Sequence, residues 1–382
     1  MMKRLLLNLM CGAIVAAQGL AQTLAEYLGP FVESGAIAGA VTMVATKDSV
    51  LEVEAFGYAD IAADKPMAPD TVFWIASQTK AITSAAVMIL VDEGKVGLDD
   101  PVTKYIPQFK ELWVVEEATS NRMTLARAPA PMTIRQMLSN TSGLPFCSHV
   151  ELPHRDGLPL RSAVYAYALT PLKSNPGTKY EYANAGFNTC GYIIERVSGM
   201  PYETFMQQRL FNPLKMVDTT FWPTAGQLKR LAKAYRPNTD KTALEETLIE
   251  QLAYPLDDRT NRYPMPGGGL FATAADVAHF YQMLLNNGVF EGKRILSEEA
   301  VRAMTTKQTP PGVNTPYGFG MNIGEGHFGH GGALGTNATA YWKKGLISVW
   351  LVQHTGYLKN GKEAQNAFNA YVHKLPAQDV AP

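Results

Sequence analysis

A serine and a lysine stand three residues apart in Ser77-Gln78-Thr79-Lys80, an S-x-x-K spacing that occurs once in the chain. Three residues is close to one helical turn, so on a helix the amine shares a face with the hydroxyl. A serine hydroxyl is a weak nucleophile until a base takes its proton. Lysine can be that base once burial or neighbouring cations lower its pKa. Ser77 falls where the pattern turns from strand to helix, and the free N–H groups and dipole of a helix start favour an oxyanion. A helix cap beside a solvated lysine has the same signature, so the motif alone does not separate cap from catalyst.

Two further groupings fit the same chemistry. Tyr182-Ala183-Asn184, the only Y-x-N in the chain, stands at the mouth of a helix predicted from Asn184. A tyrosine near a lysine can share its proton, and an asparagine can orient the amine and donate to a substrate carbonyl region. The plain alternative is a packed tyrosine with Asn184 as an N-cap. His330-Gly331-Gly332, followed by Ala333, reads as a strand whose glycines let a substrate approach its backbone, where an N–H can complete an oxyanion hole. His354-Thr355-Gly356 is a competing triplet on the next strand, predicted to lie opposite Leu334. Other chemistries are poorly served. His149 and His154 are five residues apart, off one helical face, and neither H-E-x-x-H nor G-x-S-x-G occurs. No metal site and no cofactor is expected.

These residues need elements to hold them. Thr23 to Glu33 reads as an amphipathic helix, and two β-rich runs follow it around the turn Lys47-Asp48-Ser49. Three more β-rich runs, "YGFGMNIG", "FGHGGALGTNATAYW" and "LISVWLVQH", lie near the other end, before a helix over roughly Lys362 to Lys374. Between them the apolar spacing is helical over Ser77 to Glu93, Thr133 to Ser139, Arg161 to Ala168, Asn184 to Val197, Tyr202 to Phe211, Ala274 to Asn286 and Ser297 to Thr305. The expected class is α/β (α+β): an antiparallel sheet formed from the two chain ends and flanked by helices, with an inserted mainly helical region. The α/β part covers about 22–75 and 312–382, the helical part about 76–311, and the cleft lies where they meet.

Of the 382 residues, 46% are hydrophobic and 18% charged, and 34 basic residues balance 34 acidic ones. That balance gives nothing to attract nucleic acid or an acidic membrane, and a small or neutral partner is expected. Met1-Met2-Lys3-Arg4, the apolar run Leu5 to Ala17 and the small residues around Gly19-Leu20-Ala21 have the form of a cleavable secretory signal over 1–21, which predicts a secreted or periplasmic protein. Cys11 lacks the small preceding residue of a lipidated cysteine, so no stable membrane anchor is predicted. Cys147 and Cys190 are free to pair or to stay reduced in the exported chain.

With the three groupings in this order, the chain resembles the serine hydrolases that include class C β-lactamases, DD-peptidases, D-aminopeptidases and family VIII esterases. "TIRQMLSNTSGLP", "FNPLKMVDTTF" and "GGGLFATAADVAHF" are similar to structural landmarks of that group. The resemblance implies a β-lactamase/transpeptidase-like fold, with Ser77 as the acyl-accepting nucleophile, Lys80 as its base and Tyr182 as the partner acid/base. Asn184 would orient lysine and substrate, His330-Gly331-Gly332 would be the third motif, and the N–H groups of Ser77 and Ala333 would bind the oxyanion. β-Lactamases of this group usually carry K-T-G there, a cation and a hydroxyl that hold a carboxylate. Here His330 and Gly331 replace both, which favours small esters over β-lactams and cell-wall peptides. Asn140 in "LSNTSG" stands where a histidine is common, a position read as structural. A catalytically idle ligand binder is the alternative of a different class.

Overall fold

The computed structural model describes residues 23–378. The signal reading over 1–21, with Cys11, lies outside them. Helix α1 (Leu24–Glu33) opens on a capping box, in which Thr23 accepts from the Glu26 N–H and Glu26 reaches back to the Thr23 N–H. Then come β1 (Gly39–Ala45), β2 (Val50–Asp60), the short β3 (Lys65–Pro66), α2 (Thr79–Asp92), α3 (Asn184–Ser198) and α4 (Ala274–Leu285). The chain ends with β4 (Asn322–Gly324), β5 (His327–Gly331), β6 (Asn337–Tyr341), β7 (Leu346–Leu351) and α5 (Ala364–Lys374). One seven-stranded sheet runs in the order β4-β5-β6-β7-β1-β2-β3. Every neighbouring pair is antiparallel.

The seam between the early and late strands is the pairing of β1 with β7, with Val41 opposite Leu351 and Ala45 opposite Ile347. Both strands are buried throughout because each face of the sheet is covered. Alternation assigns their side chains. Ala40, Val44, Leu346 and Trp350 enter a core shared with Leu24 and Leu28 of α1 and Phe368 and Val372 of α5. Val41, Met43, Ile347 and Val349 enter the larger core, which takes in α2, α3 and α4. Strand β4 is an edge, and its exposed Asn322 suits that place.

The mainly helical insert also carries strands. It carries hairpins of Trp113–Ala118 with Met123–Arg127 and of Ala234–Pro237 with Leu244–Thr247. The first is hard to read because its register slips between Val115 and Glu117, which breaks the alternation. Tyr202–Phe211 is a short α-helix to Met206 that continues as a π-turn over Gln207–Phe211. Of "YGFGMNIG" only Asn322–Gly324 is strand, while Tyr317, Phe319 and Met321 are buried on irregular backbone. Cys147 and Cys190 are both free thiols. No helix among the described residues is long and apolar enough to cross a membrane.

Candidate active site

Ser77 sits in a 3₁₀ turn, Ala76–Gln78, that runs directly into α2. No side chain caps this helix start. The residue before the serine, Ala76, is held at φ +47° in the left-handed region, a strained conformation that sharpens the turn. Ser77 is half-buried between buried neighbours, so its hydroxyl is the part of the turn that meets the cleft.

Lys80 follows on the same face and is fully buried. Its Nζ lies 3.2 Å from Ser77 Oγ and 2.5 Å from both Asn184 Oδ1 and the Gly267 carbonyl oxygen. The last two atoms can only accept, so each takes an N–H of the lysine. A neutral amine then has one position left, its lone pair, and that position faces the serine hydroxyl. Burial drives the Lys80 pKa well below its ordinary 10.5, with no compensating carboxylate. The arrangement can take the serine proton.

Asn184 is the first residue of α3, and Ala183, not Asn184, holds the N-cap position. That frees the asparagine side chain for Lys80. Helix α3 ends cleanly at Gly199, whose φ of +72° is the left-handed C-terminal cap. Tyr182 stands just before α3, half-buried and beside Ser77. Burial raises its pKa, opposed by the neighbouring Ser77 hydroxyl, so the phenol keeps its proton at neutral pH. The Lys80 ammonium position lies 4.7 Å from the centre of the Tyr182 ring. Asn140 positions this segment: its carbonyl accepts from the Glu181 N–H at 2.7 Å and its Oδ1 from the Ala183 N–H at 3.0 Å. Phe146 stacks on Tyr182 with ring centres 6.1 Å apart and accepts the Asn184 N–H at 3.0 Å.

His330 is buried in β5 and stacks against Tyr182, with 6.0 Å between ring centres. Its Nε2 lies 3.0 Å from the Tyr317 hydroxyl, and its Nδ1 donates to the Gly331 carbonyl. Burial and then the Lys80 charge push its pKa down to about 4. At neutral pH it is an uncharged ring with both nitrogens engaged. The strand ends at Gly331, and Gly332 leads into a 3₁₀ turn, Ala333–Gly335. This turn packs on the turn of Ser77. A Cβ on Gly332 would fall 2.4 Å from the Ile75 carbonyl oxygen, so only glycine lets the two backbones meet. Among the described residues, neither the Ser77 nor the Ala333 N–H donates to a backbone carbonyl. Two unsatisfied donors on touching turns can receive an oxyanion.

The competing triplet is structural. His354 donates its N–H to the Leu334 carbonyl at 2.8 Å, as the predicted hairpin requires, and its Nε2 accepts from the Ala38 N–H at 3.0 Å. The sequence reading missed Gly267, which supplies an acceptor to Lys80, and Asn188, which holds Gly267 through its N–H at 2.8 Å. The signal was present: Asn188 is four residues beyond Asn184 and so on the same helical face.

A family model described as Beta-lactamase matches residues 24–370, and the chain belongs to that family. It is a serine hydrolase of the β-lactamase fold. Protein Rv1367c of Mycobacterium tuberculosis is 32% identical over 378 residues, covering 90% of this chain and 92% of that protein. Esterase EstB of Burkholderia gladioli is 30% identical over 311 residues, 74% of each chain. A solved structure, EstCE1, described as a hydrolase with promiscuous acyltransferase activity, matches with a TM-score of 0.77 and 23% identity over 92% of this chain and 97% of its own.

Proposed function

We propose that this chain hydrolyses small uncharged esters through an acyl-enzyme on Ser77. The observation that carries the reading is Lys80, buried, with two acceptors for its N–H bonds and its Nζ 3.2 Å from Ser77 Oγ. Lys80 takes the hydroxyl proton as Oγ bonds to the ester carbonyl carbon, and the oxyanion lies on the N–H groups of Ser77 and Ala333. The C–O bond then breaks, and Tyr182 gives its proton to the leaving alkoxide and recovers one from Lys80. Water, deprotonated in the same way, attacks the acyl carbon and releases Ser77.

The preference for uncharged esters rests on the third motif, where His330 is neutral and turned inward and Gly331 has no hydroxyl. The relative named as an esterase supports it. Comparing kcat/KM for p-nitrophenyl acetate or butyrate, nitrocefin and a D-Ala-terminated peptide tests the preference. The ester is expected to lead, and a lead for either of the others overturns it. Ser77→Ala is expected to remove turnover and fluorophosphonate labelling together. Full activity in that variant would sink the nucleophile assignment, and an unlabelled, inactive wild type would indicate a ligand binder. Export is proposed on the basic start, the apolar run Leu5 to Ala17 and the small residues after it. N-terminal sequencing of protein from the extracytoplasmic fraction should begin near residue 22, and an intact cytoplasmic chain would refute export.

A further inference from the structure

Behind Lys80 the hydrogen bonds continue away from the cleft. Asn188 is wholly buried in α3. Its Oδ1 accepts from the Gly267 N–H at 2.8 Å, and its Nδ2 donates to the hydroxyls of Tyr167 at 2.8 Å and Tyr263 at 2.9 Å. Both phenols turn to one buried carboxyl group, Glu151: Tyr167 donates closely to Oε1, and Tyr263 lies 3.4 Å from the same oxygen. The other oxygen, Oε2, accepts from the N–H of Ser148 at 2.6 Å and its hydroxyl at 2.9 Å. The connection therefore runs from Glu151 through two phenols and Asn188 to the Gly267 N–H, and across the Gly267 Cα to the carbonyl that meets the Lys80 amine; each donor along it points toward Glu151.

We propose that Asn188 is a positioning residue for Lys80, acting through Gly267, and that Glu151 anchors the network that holds it. A carboxylate at the far end draws the phenol protons, which makes the phenol oxygens better acceptors for Asn188. The Asn188 oxygen in turn holds the Gly267 N–H more firmly, and fixing that backbone keeps the Gly267 carbonyl, which belongs to the next peptide group, aimed at Lys80. That carbonyl steadies the positive charge Lys80 gains when it takes the serine proton. It also keeps the amine from turning its lone pair off Ser77. The other titratable groups facing Lys80 are Tyr182, from the segment before α3, and His330, from β5. Those facing Glu151 are Tyr167, Tyr263 and Cys147.

The proposal rests on Lys80 being the base, so its test is the acid limb of the kcat/KM profile, which reports the base in the free enzyme. Asn188→Leu keeps the volume but orphans the Gly267 N–H. It is expected to lower kcat at least 10-fold with KM within about 2-fold, and to move the acid limb down by about half a pH unit or more. Asn188→Asp keeps the acceptor for Gly267 and adds charge, and is expected to recover part of kcat while moving the limb up. Opposite displacements are not a consequence of lost stability. Should Asn188→Leu fail to fold, Tyr263→Phe is expected to shift the limb downward as well. A wild-type limb in the soluble variants, with activity following the folded fraction, overturns the proposal. In that case Ser77→Ala remains inactive, whereas an active Ser77→Ala would overturn the function itself.

Discussion

At the scale of single residues, the two glycines of the third motif are not equivalent. A Cβ at Gly331 would meet nothing closer than 3.5 Å, whereas at Gly332 it would strike Thr336 Oγ1 at 2.2 Å and the Ile75 carbonyl at 2.4 Å. Gly331→Ala is therefore expected to keep kcat/KM within about 3-fold. Gly332→Ala, which pushes apart the turns bearing the proposed oxyanion donors, should lose about 10²-fold or more, mainly in kcat. Steady-state kinetics on one ester decides both. Lys80→Arg is expected to lose about 10²–10⁴-fold, since a guanidinium does not give up its proton to serve as base. That Ser77, Lys80, Tyr182 and His330 would come together was legible in the sequence, because residue type and spacing marked each of them. Gly267 was not, because its contribution is a backbone carbonyl, and any residue has one. The inward, neutral state of His330 was also hidden, since it depends on burial and on Tyr317, thirteen residues away.

At the scale of elements, one junction in the insert depends on a buried ion pair. Asp156 and Arg262 meet at 2.7 Å with side chains 0% and 1% exposed. The pair joins segments 147–157 and 248–263, helped by hydrogen bonds from the Ala253 N–H to Asp156 and from Arg262 to the Phe221 carbonyl. Burial raises the Asp156 pKa despite its partner, a sign that desolvation outweighs attraction and that the pair serves placement more than net stability. Removing one partner leaves the other charge bare. Asp156→Leu alone is expected to destabilise by about 3–5 kcal/mol, and the double change with Arg262→Met to recover most of that, as read by thermal unfolding. Periodicity revealed the helices, because apolar residues at three- and four-residue spacing leave a strong trace. The hairpin at 113–127 left none: its register slip and its exposed Trp113, Met123 and Leu125 erase the alternation that a half-buried strand would show.

For the whole molecule, buried histidines make stability depend on pH. Burial pushes His330 and His354 from an ordinary 6.5 down to about 4. The unfolded chain therefore binds these protons first as pH falls, and each histidine's contribution, present above about 6.5, is lost as pH drops toward 4, at about 3 kcal/mol apiece. Asp276, raised by burial from 3.8 to about 6, works the other way, stabilising the folded chain as pH falls from 6 to 4. His354→Asn isolates one histidine, and its melting temperature is expected to fall less than that of wild type between pH 7 and 4.5. The β1–β7 seam acts on a different axis, time. Val41 cannot meet Leu351 until the ribosome has made the roughly 300 residues between them, an interval of roughly 15–60 s at 5–20 residues per second. Through all of it β1 exposes apolar residues on both faces and has no partner on its β7 side. The nascent chain is then expected to need holding by chaperones, and a truncation just before Leu346 should yield insoluble protein even though Ser77, Lys80, Tyr182 and His330 have all been made.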